Sequence, residues 1–265
     1  MKHIVAALAA LLVNIAGNVV APAAEPPAPR AVDLLAELRQ LGLIGETPPQ
    51  ARVLIGEGLA GWRKKTGEWM NVGGAMADPA NERAIATTPG TGVLVNGAKG
   101  KTVDLFTEAE FGDIAAHIEF MIPKGSNSGV YFMGRYEVQI FDSFGVEKGK
   151  YPGIECGGIY PRWINNRESE GHSPRVNAAL PPGQWQTFDV IFLAPRFDAS
   201  GKKTANARFV KVWHNGQLVH ENIEVTGPTR AAAYNDEKPL GPLMFQGDHG
   251  PVAYRNLRVW ELKRP

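Results

Sequence analysis

Residues 113–142 hold two runs in which apolar and polar side chains alternate, and this period of two constrains the fold more than any other feature. In D-I-A-A-H-I-E-F-M-I-P (113–123), Ile114, Ala116, Ile118, Phe120 and Ile122 fall on one face, with His117, Glu119 and Met121 on the other. In N-S-G-V-Y-F-M-G-R-Y-E-V-Q-I-F-D (127–142), two strands are expected about a tight turn at Gly134-Arg135. There Val130 and Phe132 oppose Asn127, Gly129 and Tyr131, while Val138 and Ile140 oppose Glu137 and Gln139. Successive side chains of a strand point to opposite faces. One face of this hairpin therefore belongs to a core. The other presents a carboxylate, an amide, an aromatic ring and a glycine, a set suited to a sugar.

The same pattern recurs along the chain. Short apolar runs at 53–55, 93–95, 105–107, 185–193, 209–213, 243–246 and 254–262 are separated by turn residues, and Asn215-Gly216 supplies a hairpin turn into Leu218-Val219-His220. Gly (30) and Pro (20) are abundant enough to punctuate about a dozen strands with no helical pattern between them. The expected class is all-β, a two-sheet jelly-roll sandwich with a short N-terminal helix. The helix is expected within 32–43, where leucines at 34, 35, 38 and 41 form one stripe and Gly42 fits its end. Residues 143–182 form a long loop with little periodicity, and a loop of that length in a compact domain is usually functional. The segment 195–207 reads as a solvated hairpin tip.

Charge is balanced, with 28 basic and 27 acidic residues, which argues against a nucleic-acid partner. Lys2 and His3 precede the apolar run 4–13, and A-P-A-A follows at 21–24. That is the layout of a secretory signal peptide over 1–24. Periplasmic or secreted localisation is expected, without a membrane span. A linker and the short helix occupy 25–50, and the main domain 51–265. The single Cys156 has no intrachain disulfide partner and is expected to be a buried thiol. The tryptophans at 62, 69, 185, 213 and 260 are expected in the core.

Chemistry concentrates at a few places. Glu137, Gln139 and Asp142 share the spacing of the E-x-D-x-x-E strand of laminarinase-type retaining glucanases, with an amide in the centre and a shortened last acid. Retention needs two carboxyl groups about 5–5.5 Å apart, whereas strict alternation puts Glu137 and Asp142 on opposite faces. In Q-G-D-H-G (246–250), Gln246 ends a strand, and Asp248 is placed to orient His249 as a proton carrier. The alternative is a plain turn capped by Asp248. Glu119 and His117 either extend a polar groove floor or are surface charges. Trp163, Tyr160, Tyr151 and Arg162 in the long loop are candidates to stack on and hold a sugar ring. No metal-ligand spacing occurs, so no cofactor is specified; a divalent metal held by loop oxygens stays open.

Five segments in order carry a resemblance: G-L-A-G-W (58–62), the 127–143 block, P-P-G-Q-W-Q-T-F (181–188), V-W-H-N-G-Q-L-V-H (212–220) and F-Q-G-D-H-G-P-V-A-Y-R-N-L-R-V (245–259). Together they resemble the 3-keto-disaccharide hydrolase domain family (3-keto-glucoside 1,2-lyase / 3-keto-2-hydroxy-glucal hydratase) over roughly 51–263. The resemblance implies a concanavalin-like jelly roll, bacterial export, and action on glycosides already oxidised at carbon 3. It also implies an upstream glycoside 3-dehydrogenase as pathway partner. For such chemistry Glu137 and His249 are the candidate base and acid in either order, with Asp248 orienting His249. Asn127, Tyr131, Arg135, Gln139, Gln246, Glu119 and Trp163 are the candidate substrate-binding residues. The competing functions are a non-catalytic carbohydrate-binding module, an ordinary retaining glycosidase, and a structural surface domain. Met133 stands where a polar residue is expected before the turn.

Overall fold

The structure, a computed structural model, describes residues 32–56, 58–63, 65–147 and 155–262. The segment 1–24 expected to direct export, most of the linker, and Tyr151 lie outside the described residues.

Two antiparallel sheets face each other. The larger has eight strands. It runs in order Gln217–Val225, Ala207–His214, Gln186–Leu193, Ile114–Met121, Ala253–Glu261, Asn81–Val95 and Met70–Asp78, and Arg52–Val53 pairs on Ala253–Glu261. The smaller runs Leu105–Phe111, Gly241–Phe245, Asn127–Phe132, Tyr136–Phe141. Alternation decides what lies between them. Ile114, Ala116, Ile118 and Phe120 of the large sheet pack against Val130, Phe132, Val138 and Ile140 of the small one in a single core. Phe132 lies 5.2 Å from Phe192 and 5.5 Å from Phe209, centroid to centroid, so rings join the two layers. The jelly-roll sandwich is thus the observed class.

The helix spans Leu34–Gln40, capped by Asp33, whose carboxylate accepts from Ala36 N at 3.0 Å. Leu34 and Leu38 bury themselves on Ala115, Ile191, Trp213 and Leu262, on the outer side of the large sheet. Asn215 (φ 51°) and Gly216 (φ 76°) form the expected hairpin turn. Cys156 is buried, and burial pushes its thiol up to about 12. Trp62, Trp69, Trp185 and Trp213 are buried, and Trp260 is partly so.

Three features depart from expectation. The turn after Asn127–Phe132 centres on Met133-Gly134, not Gly134-Arg135, with φ 58° and 64° and Arg135 N on Phe132 O at 3.0 Å. Met133 takes the left-handed conformation because its side chain is buried in the core, which also explains an apolar residue at a turn. Met70–Asp78 and Asn81–Val95 form a long hairpin. Its Gly- and Thr-rich strands carry no clean alternation, being mostly half-buried or exposed. The loop 143–182 contains a small hairpin, Arg162–Ile164 with Arg167–Ser169, turned by Asn165 and Asn166 at φ 51° and 62°.

Candidate functional site

The outer face of the small sheet collects the polar residues of 127–141. Tyr131 lies opposite Glu137, and Gly129 opposite Gln139, on neighbouring strands. Segment 157–160 continues the sheet beyond Tyr136–Phe141: Tyr160 N donates to Glu137 O at 3.1 Å, and Gln139 N to Gly158 O at 2.9 Å. Gln246 follows the strand Gly241–Phe245. Its backbone N donates to Gly129 O at 3.0 Å, and its carbonyl accepts from Ser128 Oγ at 2.8 Å. With Phe245 in the core, the next side chain turns to the outer face, beside Tyr131.

Glu137 is buried at 2 % exposure. Its carboxylate lies over Gly129, where an added Cβ would stand 2.2 Å from Oε1. Only a glycine leaves that space. The Gln139 amide end lies 2.8 Å from Ser128 O and 2.9 Å from Glu137 Oε1, both acceptors, which assigns its nitrogen to that position. The Tyr131 hydroxyl donates to Glu137 and receives Gln246 Nε2 at 3.5 Å. Glu137 Oε2 and Gln246 Oε1 are buried without a partner among the described residues, so both remain open to a donor on a ligand.

Burial pushes the Glu137 carboxyl up to about 8. The hydrogen bond from Tyr131 opposes this, and the nearby charges of Asp104 and Asp248 add to it. None of these neighbours is a cation. A carboxyl group poised near neutrality is what proton transfer at neutral pH requires.

Asp104 was not foreseen. It precedes the strand Leu105–Phe111, and its Oδ1 accepts from Gly247 N at 3.0 Å, while burial raises its pKa. An aspartate just before a strand reads as a turn residue in sequence; only the pairing of that strand with Gly241–Phe245 brings it to the site. Asp248 hydrogen-bonds to His249 Nδ1, and both side chains are more than half exposed. Asp248 and Asp104 line a groove of about 1,050 Å³ with Arg63, Lys65, Lys101 and Phe106. Asn127 is half-buried at the end of the same face. Among the described residues, no group of three or more His, Cys, Asp or Glu is placed to hold a metal ion, and no helix is long and apolar enough to cross a membrane.

The structure does not bring every candidate here. Glu119 lies on the outer face of the large sheet, across the core from Glu137. Arg255 Nε and Asn256 Nδ2 each donate to it at 2.7 Å, and His117 Nε2 is 3.6 Å away. It is a member of a buried ion network, not a groove floor. Arg135 is 3 % exposed and tied to Met133 O (2.8 Å) and Asp236 Oδ1 (2.6 Å), with its guanidinium 4.6 Å from the Tyr234 ring. It anchors the loop 229–236 and does not face the site. Asp142 Oδ2 accepts from Gly125 N at 2.7 Å, so it closes a turn and forms no pair with Glu137. Trp163 is 52 % exposed on the small hairpin, reached from Glu137 through Tyr160.

Residues 50–260 match the 3-keto-alpha-glucoside-1,2-lyase-like domain family. No curated protein matches the sequence. A crystal structure from Parabacteroides distasonis, provisionally described as a glycosyl hydrolase, superimposes with TM-score 0.58 at 23 % identity, covering 89 % of this chain and 100 % of that one. A second structure from the same organism, described in the same way, gives 0.52 at 18 % identity over 80 % and 100 %. These likenesses bear on the fold. The chain belongs to the 3-keto-alpha-glucoside-1,2-lyase-like domain family, a family of carbohydrate-active domains.

Proposed function

We propose that this family member cleaves glycosides oxidised at carbon 3, by elimination across carbons 1 and 2 followed by hydration. The observation that carries this is Glu137, a buried carboxyl group that, among the described residues, has no cation beside it and keeps one oxygen free, held under Tyr131 and Gln139. A ketone at carbon 3 acidifies the proton on carbon 2. A base removes that proton, and the electron pair becomes an enolate. The enolate expels the group on the anomeric carbon, which leaves with its bonding pair and takes a proton from an acid. Water then adds to carbon 1, and carbon 2 regains a proton, giving net hydrolysis.

This route needs one base, one acid and donors for the enolate oxygen. It does not need two close carboxylates, and Asp142 is elsewhere. Glu137 takes the carbon-2 proton when ionised. His249, oriented by Asp248 at the rim, protonates the departing oxygen. Gln139, Gln246 and Asn127 hold hydroxyls and the keto oxygen. An enzyme that oxidises a glycoside at carbon 3 must supply the substrate, a glycoside 3-dehydrogenase by class. Export to the periplasm or beyond belongs to the same proposal and rests on residues 1–24.

The test is incubation with a 3-keto-disaccharide and its unoxidised parent in D2O, with and without chelator. The ketone alone should be cleaved, with deuterium entering carbon 2 of the released sugar, and Glu137→Gln should abolish turnover. Cleavage of the unoxidised parent, or cleavage without deuterium, overturns the mechanism.

A further inference from the structure

The hydration half of the proposed reaction needs a base of its own. Glu137 holds the carbon-2 proton once elimination is complete, so it cannot also take a proton from the incoming water. Asp104 is a second half-buried acid on the same face. Leu105 is packed in the core, so the residue before it turns outward. Phe245 pairs with Leu105 on one side and with Val130 on the other. The next rung of this antiparallel register sets Asp104 beside Gln246, and Gln246 beside Gly129, over which the Glu137 carboxylate lies.

Asp104 is held in place by one oxygen. Gly247 N donates to its Oδ1 at 3.0 Å, and Thr102 N donates to Gly247 O at 2.8 Å, which clamps the two segments together. Among the described residues, Oδ2 takes part in no hydrogen bond. On the neighbouring strand Gln246 Oε1 is buried and also lacks a partner. Side chains opposite one another on adjacent strands stand about 5 Å apart at Cβ. One water, bonded at about 2.8 Å to an acceptor on each, bridges such a gap. It donates both hydrogens and turns its lone pairs toward the sugar.

The other groups suit this step less well. Asp248 and His249 hydrogen-bond to each other, and both are more than half exposed. Burial raises the pKa of Asp104. The Gly247 N–H opposes that rise, Asp248 adds to it and His249 opposes it, leaving a stronger base than an exposed aspartate.

We propose that Asp104 is the base of the hydration step, taking a proton from a water that it shares with Gln246. The water oxygen bonds to carbon 1 of the enone that elimination leaves. The carbon 1–carbon 2 π pair shifts into the carbon 2–carbon 3 bond, and the ketone oxygen takes the charge. The enolate then receives the Glu137 proton at carbon 2, and Asp104 releases its own proton to solvent. The inference rests on the function proposed above and adds a catalytic residue for its second half.

The experiment gives wild type, Asp104→Asn and Asp104→Ser a 3-keto-disaccharide and, in a second assay, the enone itself. Release of the leaving sugar in the first turnover reads elimination, and loss of the enone's ultraviolet absorbance reads hydration. Asparagine and serine each keep an oxygen to accept from Gly247 N, but neither takes a proton near neutrality. Both variants should hydrate the enone about 100-fold more slowly, the low end for a lost general base. Their first release of sugar should stay within about threefold, with enone accumulating. Hydration at the wild-type rate in either variant shows that Asp104 only closes the turn. That result, or an equal loss of both steps in both variants, overturns the assignment while the proposed function stands. If wild type releases no sugar from the ketone, the proposed function has failed and the role of Asp104 falls with it.

Discussion

The outer faces of the two sheets carry the same kind of residue and treat it in opposite ways. On the large sheet, Glu119 is surrounded by donors. Burial alone would raise its pKa, but hydrogen bonds from His117, Asn256 and Arg255 outweigh it and bring the carboxyl down to about 2. Burial likewise pulls His117 down, yet its bonds to Asp189 (2.8 Å) and Glu119 carry it up to about 9. On the small sheet, Glu137 meets a phenol, an amide and two further acids, and burial lifts it to about 8. A carboxylate held ionised by a full set of partners has no proton to exchange near neutrality. One left without a cation does. Burial is common to both, and the partners decide whether the group is structural or chemical.

The contrast would break first at the carboxylates. Glu137→Gln should lower kcat on a 3-keto-disaccharide by about 10³-fold, within the range for a lost general acid or base, while Glu119→Gln should leave kcat within about twofold. Next in size is stability. Glu119→Ala takes the shared carboxylate away from Arg255, His117 and Asn256 and should cost about 3 kcal/mol in urea unfolding, with turnover at 25 °C preserved. That network should be strongest between pH 4.5 and 6.5. Its Glu119 part is lost as pH falls through about 2, and its His117 part as pH rises through about 9. Gly129→Ala sharpens the comparison from the other side. The new methyl would overlap Glu137 Oε1, so the carboxylate must move, and a shift of about 1 Å costs on the order of 100-fold in rate. A variant retaining full activity would show that the position of Glu137 over Gly129 is not used.

Much of this was legible in the sequence. Alternation alone put Asn127, Tyr131, Glu137 and Gln139 on one face, because a strand has only two. It also separated His117 and Glu119 from the core residues of their strand. It could not say which sheet each strand joins, and so Glu119 and Glu137 looked equivalent although the core lies between them. Arg135 likewise looked like a site residue, because nothing local shows that Asp236 and Tyr234 arrive from a loop 100 residues later. Asp104 stayed hidden for the same reason. The turn at Met133-Gly134 was missed because a buried side chain overrode the local preference for glycine or asparagine at positive φ.

The last contrast concerns how stability changes with pH on the Glu137 side. The unfolded carboxyl titrates near 4.5 and the folded one near 8. Between those values the folded chain keeps a proton that the unfolded chain has released. Wild type should therefore lose stability as pH rises from 4.5 through 8, then level off. Glu137→Gln keeps the shape of the protonated acid and has nothing to titrate, so it should not share that loss. Thermal unfolding should give similar Tm values for the two proteins at pH 5 and a higher Tm for the variant at pH 9, by about 10 °C or more at roughly 2–4 °C per kcal/mol. A protein made more stable by losing its active carboxyl is the expected trade when burial is used to tune a proton-transfer group. Parallel Tm curves across this range would mean that Glu137 is ionised throughout, like Glu119, and the distinction between the two faces would fall with it.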